Sequence, residues 1–371
     1  VSAEGSLLFD RTTIAALLQR SEQLALEIGR PVTLMEVCGT HTHAVAAAGL
    51  RRLLPQGVRL ISGPGCPVCV TPVGYLDRAL ALAGRPDTVI ATFGDLMRVP
   101  SSTLTLEQGR AEGKRIAIVY SPRDAVAVAK DNPMKTVIFL AVGFETTAPT
   151  IAAALAEAEA SGLTNFLILP GNKLIPPPMR ALIEDPQLAV DGFLLPGHVS
   201  VITGSAAFNF LAADHGVGGA VAGFTPADVM RAVVALLEQL AYGQPSVVNL
   251  YERVVTAEGN RAAWSLIDRF FTAESSSWRG FGEIPASGLG LRPEWAHRDA
   301  STIPVEVPPP HEPAGCRCGD VLRGLIDPPQ CNLYASSCTP GSPAGACMVS
   351  SEGTCAAWYR HERTTAAGAR P

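Results

Sequence analysis

Val32-Thr33-Leu34-Met35-Glu36-Val37-Cys38-Gly39-Thr40-His41-Thr42-His43 runs an apolar, β-branched stretch straight into a cysteine, a glycine and two histidines. Such a run, followed by small and polar residues and then by Ala-rich text from residue 44, reads as a strand, a tight loop and a helix. The pattern recurs downstream. Strands are expected at 32–37, 58–62, 88–92, 115–120, 136–142, 166–169, 192–195 and 220–223, short and mostly apolar as strands covered on both faces are. Helices are expected at 12–28, 44–54, 74–83, 102–112, 124–130, 149–160, 177–183 and 227–241, where apolar residues return at intervals of three and four. Alternating strands and helices specify an α/β fold around mainly parallel sheets.

The expected architecture is two Rossmann-like parallel-sheet lobes plus a small C-terminal iron–sulfur domain. Pro133, after Asp131-Asn132, marks a boundary because proline blocks helix continuation. The division is therefore 1–133, a first α/β lobe; 134–242, a second; and 243–371, a helix at 261–271 followed by a linker with Pro308-Pro309-Pro310 and a cysteine-rich segment. That last segment has too little apolar content to fold alone, and segments of this kind borrow order from a metal centre or from a neighbour.

Composition excludes several classes. Hydrophobic residues make up 47% and charged residues 17% of the 371, yet no apolar run reaches the length of a membrane span. A net charge of −5 without clustered Lys and Arg argues against a nucleic-acid partner. The opening residues lack the pattern of a secretory signal, which gives the expectation of a cytoplasmic protein. In a reducing compartment, nine cysteines at short spacings read as metal ligands or redox groups before disulfide staples.

Three cysteines lie upstream. Cys38 stands where the carboxyl end of a strand opens a ligand crevice, and the helix after it is expected to lower its pKa. Gly63-Pro64-Gly65-Cys66-Pro67-Val68-Cys69 also follows a strand, and its C-x-x-C spacing suits a thiol–disulfide couple or half a metal site. Two more strand ends carry Gly143-Phe144-Glu145-Thr146-Thr147-Ala148-Pro149 and Pro196-Gly197-His198-Val199-Ser200, which makes Glu145 and His198 candidates for a shared cleft. Thr147 before Pro149 also has the look of an ordinary helix start. The remaining six cysteines, Cys316, Cys318, Cys331, Cys338, Cys347 and Cys355, close the chain. Six thiols offer the four that an iron–sulfur cluster needs, with two to spare; zinc would take four as readily, but the C-x-x-C knuckles of zinc ribbons are absent from this block. Cys331, Cys338, Cys347 and Cys355 form a compact set in which Cys316 or Cys318 could replace one member.

With these residues in view, the chain resembles the HypD family of hydrogenase maturation factors nearly end to end. The resemblance rests on residues 35–43, 62–72, Gly94-Asp95 with Arg98-Val99-Pro100, 143–149, 196–200, Trp278-Arg279-Gly280 and 338–355. Ser101, Thr225 and Leu250 depart from the usual family text. The resemblance implies a scaffold for assembling the Fe(CN)2CO unit of NiFe-hydrogenase, working with a HypC-type chaperone and receiving cyanide from HypE, itself paired with HypF. By that resemblance Cys38 holds the iron, a 4Fe-4S cluster sits in the C-terminal block, and Cys66 with Cys69 forms a redox relay between them. His41, Glu145 and His198 would supply protons or hydrogen bonds to the cyanide nitrogens, with Gly39, Thr40, Gly65, Thr146 and Thr147 as further binding positions. Two other readings compete: a zinc-dependent or redox enzyme in which Cys38, Cys66, Cys69 and His41 share one metal and the tail holds structural zinc, and an interaction platform with structural cysteines.

Overall fold

The computed structural model describes the backbone of residues 3–363 and the side chains of residues 11–363. Eleven strands are present among them: β1 (Val32–Glu36), β2 (Val58–Ser62), β3 (Thr88–Thr92), β4 (Ile116–Ile118), β5 (Thr136–Gly143), β6 (Phe166–Asn172), β7 (Gly192–Pro196), β8 (Gly218–Ala222), β9 (Val247–Asn249), β10 (Phe271–Trp278) and β11 (Gly282–Leu291). They form a five-stranded sheet of order β2-β1-β7-β8-β9, a four-stranded sheet of order β4-β3-β5-β6, and a hairpin of β10 and β11. Every pairing in the two larger sheets is parallel. The α/β expectation holds, with two parallel-sheet lobes.

The lobes do not divide at residue 133. β5 pairs with β3 from Thr88↔Thr136 onward, so a cut there runs through the second sheet. Pro133 follows a helix that ends at Asp131, as expected, but the chain then returns to the sheet it left. The first sheet takes β1 and β2 from the start of the chain and β7, β8 and β9 from beyond the second sheet, which is in effect an insertion.

Helices Ala3–Ile28 and Pro226–Tyr242 pack together beside the first sheet, where Leu24, Leu34, Leu60, Leu194 and Val233 share one apolar cluster. Thr225, one of the departures from the family text, caps Pro226–Tyr242 by accepting from Asp228 N, which is chemistry suited to a helix start. A second cluster joins the second sheet to helices Pro122–Asp131, Ala148–Ala160 and Arg261–Phe270. The largest cluster contains residues of both sheets, including Met35, Ile61, Ile138 and Phe193, and also Cys318, Cys338, Cys347 and Cys355. The cysteine block therefore shares a core with the sheets: a Cβ at Gly324 would meet Ile61 at 2.7 Å and Met35 at 2.8 Å. Among the described residues no helix is long and apolar enough to cross a membrane.

Candidate functional site

Parallel pairing puts all carboxyl ends of the first sheet on one edge. β1 lies between β2 and β7, so Cys38 after β1 is flanked by the Gly63–Cys69 loop after β2 and the Pro196–His198 turn after β7. β1 leads to β2 on one side while β7 leads to β8 on the other, which makes the gap between β1 and β7 the point where strand order reverses and ligands are usually bound.

The loops meet backbone to backbone. Gly39 N donates to Gly65 O at 2.8 Å, and a Cβ on Gly65 would stand 2.2 Å from Cys38 N. No side chain fits there, which is why this position is glycine. Cys38 is the N-cap of helix Gly39–Ala47 and is 7% exposed. Burial pushes its thiol up to about 12, and the carboxylates of Glu36 and Glu352 add to the rise. The helix N–H groups of Thr40 and His41 act in the expected, lowering direction but are outweighed. The expected depressed thiol is thus corrected: desolvation costs the thiolate more than the helix end returns.

Glu36, the one charged side chain in β1, is fully buried beneath Cys38. Its Oε2 accepts from Cys38 N at 3.2 Å and its Oε1 from Thr42 Oγ1 at 2.6 Å. Burial raises its carboxyl to about 7, against the pull of Arg51. The sequence reading assigned it no role, although a glutamate inside a strand covered on both faces was itself a signal.

Cys66 and Cys69 form a disulfide, with Cys66 at the N-cap of the short helix Pro67–Val70 as expected. Both are buried, and Cys69 Sγ lies 4.0 Å from Ala346 O, beside Cys347. The pairing leaves neither sulfur free to join Cys38 and His41 around one metal. His41 is fully buried; its Nε2 donates to Gly223 O at 2.9 Å, which leaves Nδ1 as the basic nitrogen, with no hydrogen-bond partner. Burial lowers its pKa to about 4, so the ring is neutral near pH 7. Phe224 links it to His198: the Phe224 ring centroid is 5.0 Å from that of His41 and 4.0 Å from that of His198, which is exposed.

Glu145 belongs to the other sheet. It follows β5, is 1% exposed, accepts from Ile175 N at 2.9 Å and has no hydrogen-bond partner at Oε2; burial raises it to about 7. Its one hydrogen bond does not reach Cys38 or His198, so the expected shared cleft is corrected. Thr146 is exposed, and Thr147 occupies the N-cap of Ala148–Ala160 without a side-chain cap bond.

All six C-terminal cysteines line one cavity, with Arg317, Val321, Leu333, Tyr334, Gly345 and Met348. Five are buried and Cys316 is half-buried. Cys318 Sγ and Cys347 Sγ are 2.7 Å apart, Cys338 Sγ accepts from Ala344 N at 3.3 Å, and a Cβ on Gly345 would meet Cys316 Sγ at 2.5 Å. Soft donors under apolar cover, with a backbone N–H on a sulfur, are the environment an iron–sulfur cluster uses. Among the described residues no three His, Cys, Asp or Glu side chains are gathered as a single metal ion needs; the sulfurs ring a cavity instead. The grouping brings all six together and does not select four.

The block also closes over Cys38. Glu352, between Cys347 and Cys355, accepts from Thr40 Oγ1 at 2.8 Å, and a Cβ on Gly39 would meet Glu352 Cβ at 2.5 Å. Helix Thr354–His361, which carries Cys355, packs on helix Gly39–Ala47.

Comparison with known proteins shows the family. The HypD profile, described as "Hydrogenase formation hypA family", matches residues 12–362. The chain is 43% identical over 355 residues to the hydrogenase maturation factor HypD of Escherichia coli (strain K12), covering 94% of each. It is 41% identical over 360 residues to that of Rhodobacter capsulatus, covering 95% of this chain and 96% of the relative, and 44% identical over 342 residues to that of Azotobacter vinelandii, covering 90% of each. The chain therefore belongs to the HypD family of hydrogenase maturation factors.

Proposed function

We propose that this protein is the scaffold on which the Fe(CN)2CO unit of NiFe-hydrogenase is assembled, with Cys38 holding the iron. The observation that carries the reading is the convergence on Cys38 of the disulfide loop through Gly65 and of the cysteine block through Glu352. Iron is the substrate here. A soft thiolate suits low-spin iron, and binding a metal removes the proton that burial otherwise keeps on Cys38. A HypC-type chaperone shares the iron, and HypE delivers the cyanide.

The protein's own groups have definite parts. Glu36 holds the Cys38 amide and the Thr42 hydroxyl, which fixes the loop that presents the sulfur. His41, neutral and with its N–H spent on Gly223 O, has no proton to offer the cyanide nitrogens, which leaves exposed His198, stacked on Phe224, as the hydrogen-bond donor of the pair. The Cys66–Cys69 disulfide takes up two electrons and two protons on reduction to the dithiol. Four of the six C-terminal cysteines would hold a 4Fe-4S cluster, which when bound supplies single electrons beside Cys69. Burial of both disulfide sulfurs keeps free thiols and water from short-circuiting that exchange.

Infrared spectroscopy of protein purified anaerobically with its chaperone tests the reading. Iron-bound cyanide and carbon monoxide bands are expected, and they are lost in Cys38→Ala. Bands that persist in that variant would place the iron elsewhere and overturn the proposal.

A further inference from the structure

We propose that Arg51 is a positioning residue: it ties the C-terminal helix to the floor of the Cys38 pocket, so that the docked state of that helix sets the order of the Cys38 loop. The side chain is 9% exposed and its guanidinium is spent on both partners. Nη1 donates to Glu362 Oε1 at 2.6 Å, at the end of helix Thr354–His361, and the guanidinium lies over Trp358 of that helix at 5.3 Å. Nη2 donates to Ser62 Oγ at 2.9 Å and stands 3.8 Å from Glu36 Oε1, while Nε donates to Leu60 O at 3.1 Å. Ser62 lies in register with Glu36 across β1 and β2, so Arg51 reaches both neighbouring strands at the same level. Glu36 in turn accepts from Cys38 N and Thr42 Oγ1.

An unbroken chain of charged and hydrogen-bonded groups thus runs from Glu362 through Arg51 and Glu36 to the amide of Cys38, with Ser62 held on Arg51 beside it. Only an arginine fork reaches two carboxylates, a hydroxyl and a carbonyl at once in fixed directions. Removing one member of a buried charged network leaves the others uncompensated, so the cost spreads along the chain. The link joins protein segments alone and exists before any iron is bound.

Hydrogen–deuterium exchange resolved by peptide tests this on the full chain with Arg51→Gln, Arg51→Lys and Glu362→Gln. Local opening sets the exchange of buried amides, and loss of a charge-assisted hydrogen bond is expected to speed exchange over residues 38–42 by about tenfold or more in Arg51→Gln and Glu362→Gln. Arg51→Lys falls between, and residues 136–143 of β5 stay unchanged. The double Arg51→Gln, Glu362→Gln variant exceeds Arg51→Gln by little, since both break one chain. Faster exchange confined to residues 354–361 would show that Arg51 merely fastens the helix, and would overturn the proposal. If Arg51→Gln loosens the whole chain, Glu362→Gln decides, because it leaves Arg51, Ser62 and Glu36 in place; uniform loosening there also overturns it.

Discussion

At the carboxyl edge of the first sheet Cys38 is 7% exposed, shut in by Gly65 on one side and Glu352 on the other. At the carboxyl edge of the second sheet, Phe93, Asp95, Tyr120 and Thr147 line a cavity of about 390 Å³, and Tyr120 is 92% exposed. Both edges come from parallel strands running into loops and helix starts. They differ in what covers them: the cysteine block lies over Cys38 at the first, while at the second Tyr120 and Thr146 stay exposed. Strand ends supply a place for chemistry, and the covering segment decides whether that place is dry enough for a thiolate-held metal.

The largest expected effect separates the edges by function. Cys38→Ala reduces hydrogenase maturation to background in a complementation assay, whereas Tyr120→Ala leaves it near the unsubstituted level; equal effects would erase the distinction.

Backbone contact gives the next. Gly65→Ala forces a methyl into the Cys38 backbone and costs about 3 kcal/mol or more. Gly94→Ala, at the second edge, meets only Ile118 at 3.7 Å and stays within about 0.5 kcal/mol in urea unfolding.

Titration probes the buried glutamate of the second sheet. Glu145 has no cation to offset its burial, and its folded-state pKa is raised to about 7. A raised carboxyl favours the folded state below its unfolded pKa of about 4.3, and that contribution is lost as pH rises through about 7. Glu145→Gln removes the loss, so the variant's stability falls less than the parent's between about pH 5 and pH 8, by up to about 3 kcal/mol. Matching pH profiles would show that Glu145 does not titrate in this way.

The smallest effect is a single hydrogen bond. Thr40→Val, which breaks the contact to Glu352, costs about 1 kcal/mol, and Thr146→Val, exposed at the second edge, costs under about 0.5 kcal/mol by thermal unfolding.

Much of this was legible in the sequence. Short apolar runs located all eight expected strands, because covered strands have no polar face to confuse the pattern. Sheet membership was not legible: nothing local in β3 or β5 says that they pair with each other while β1 pairs with β7. The hairpin of β10 and β11 was missed because Glu274-Ser275-Ser276-Ser277 is poor strand material and the pairing shifts register there; Trp278, buried at its end, was the remaining clue. The thiol motifs stood out by composition. Glu36, Arg51 and Phe224 did not, since their roles come from partners distant in sequence. The sign of the Cys38 shift also escaped the sequence, because a helix N-terminus can be read from spacing but the depth of burial cannot.

A buried iron site and an iron–sulfur block in one assembly would leave a distinct metal content. The measurement is the iron, zinc and acid-labile sulfide content of anaerobically purified protein, beside a Cys338→Ala, Cys347→Ala double variant. About four iron and four sulfide per chain are expected, lost in the variant, with any further iron assigned to Cys38. Zinc without sulfide would contradict this and leave the six cysteines as a structural metal site.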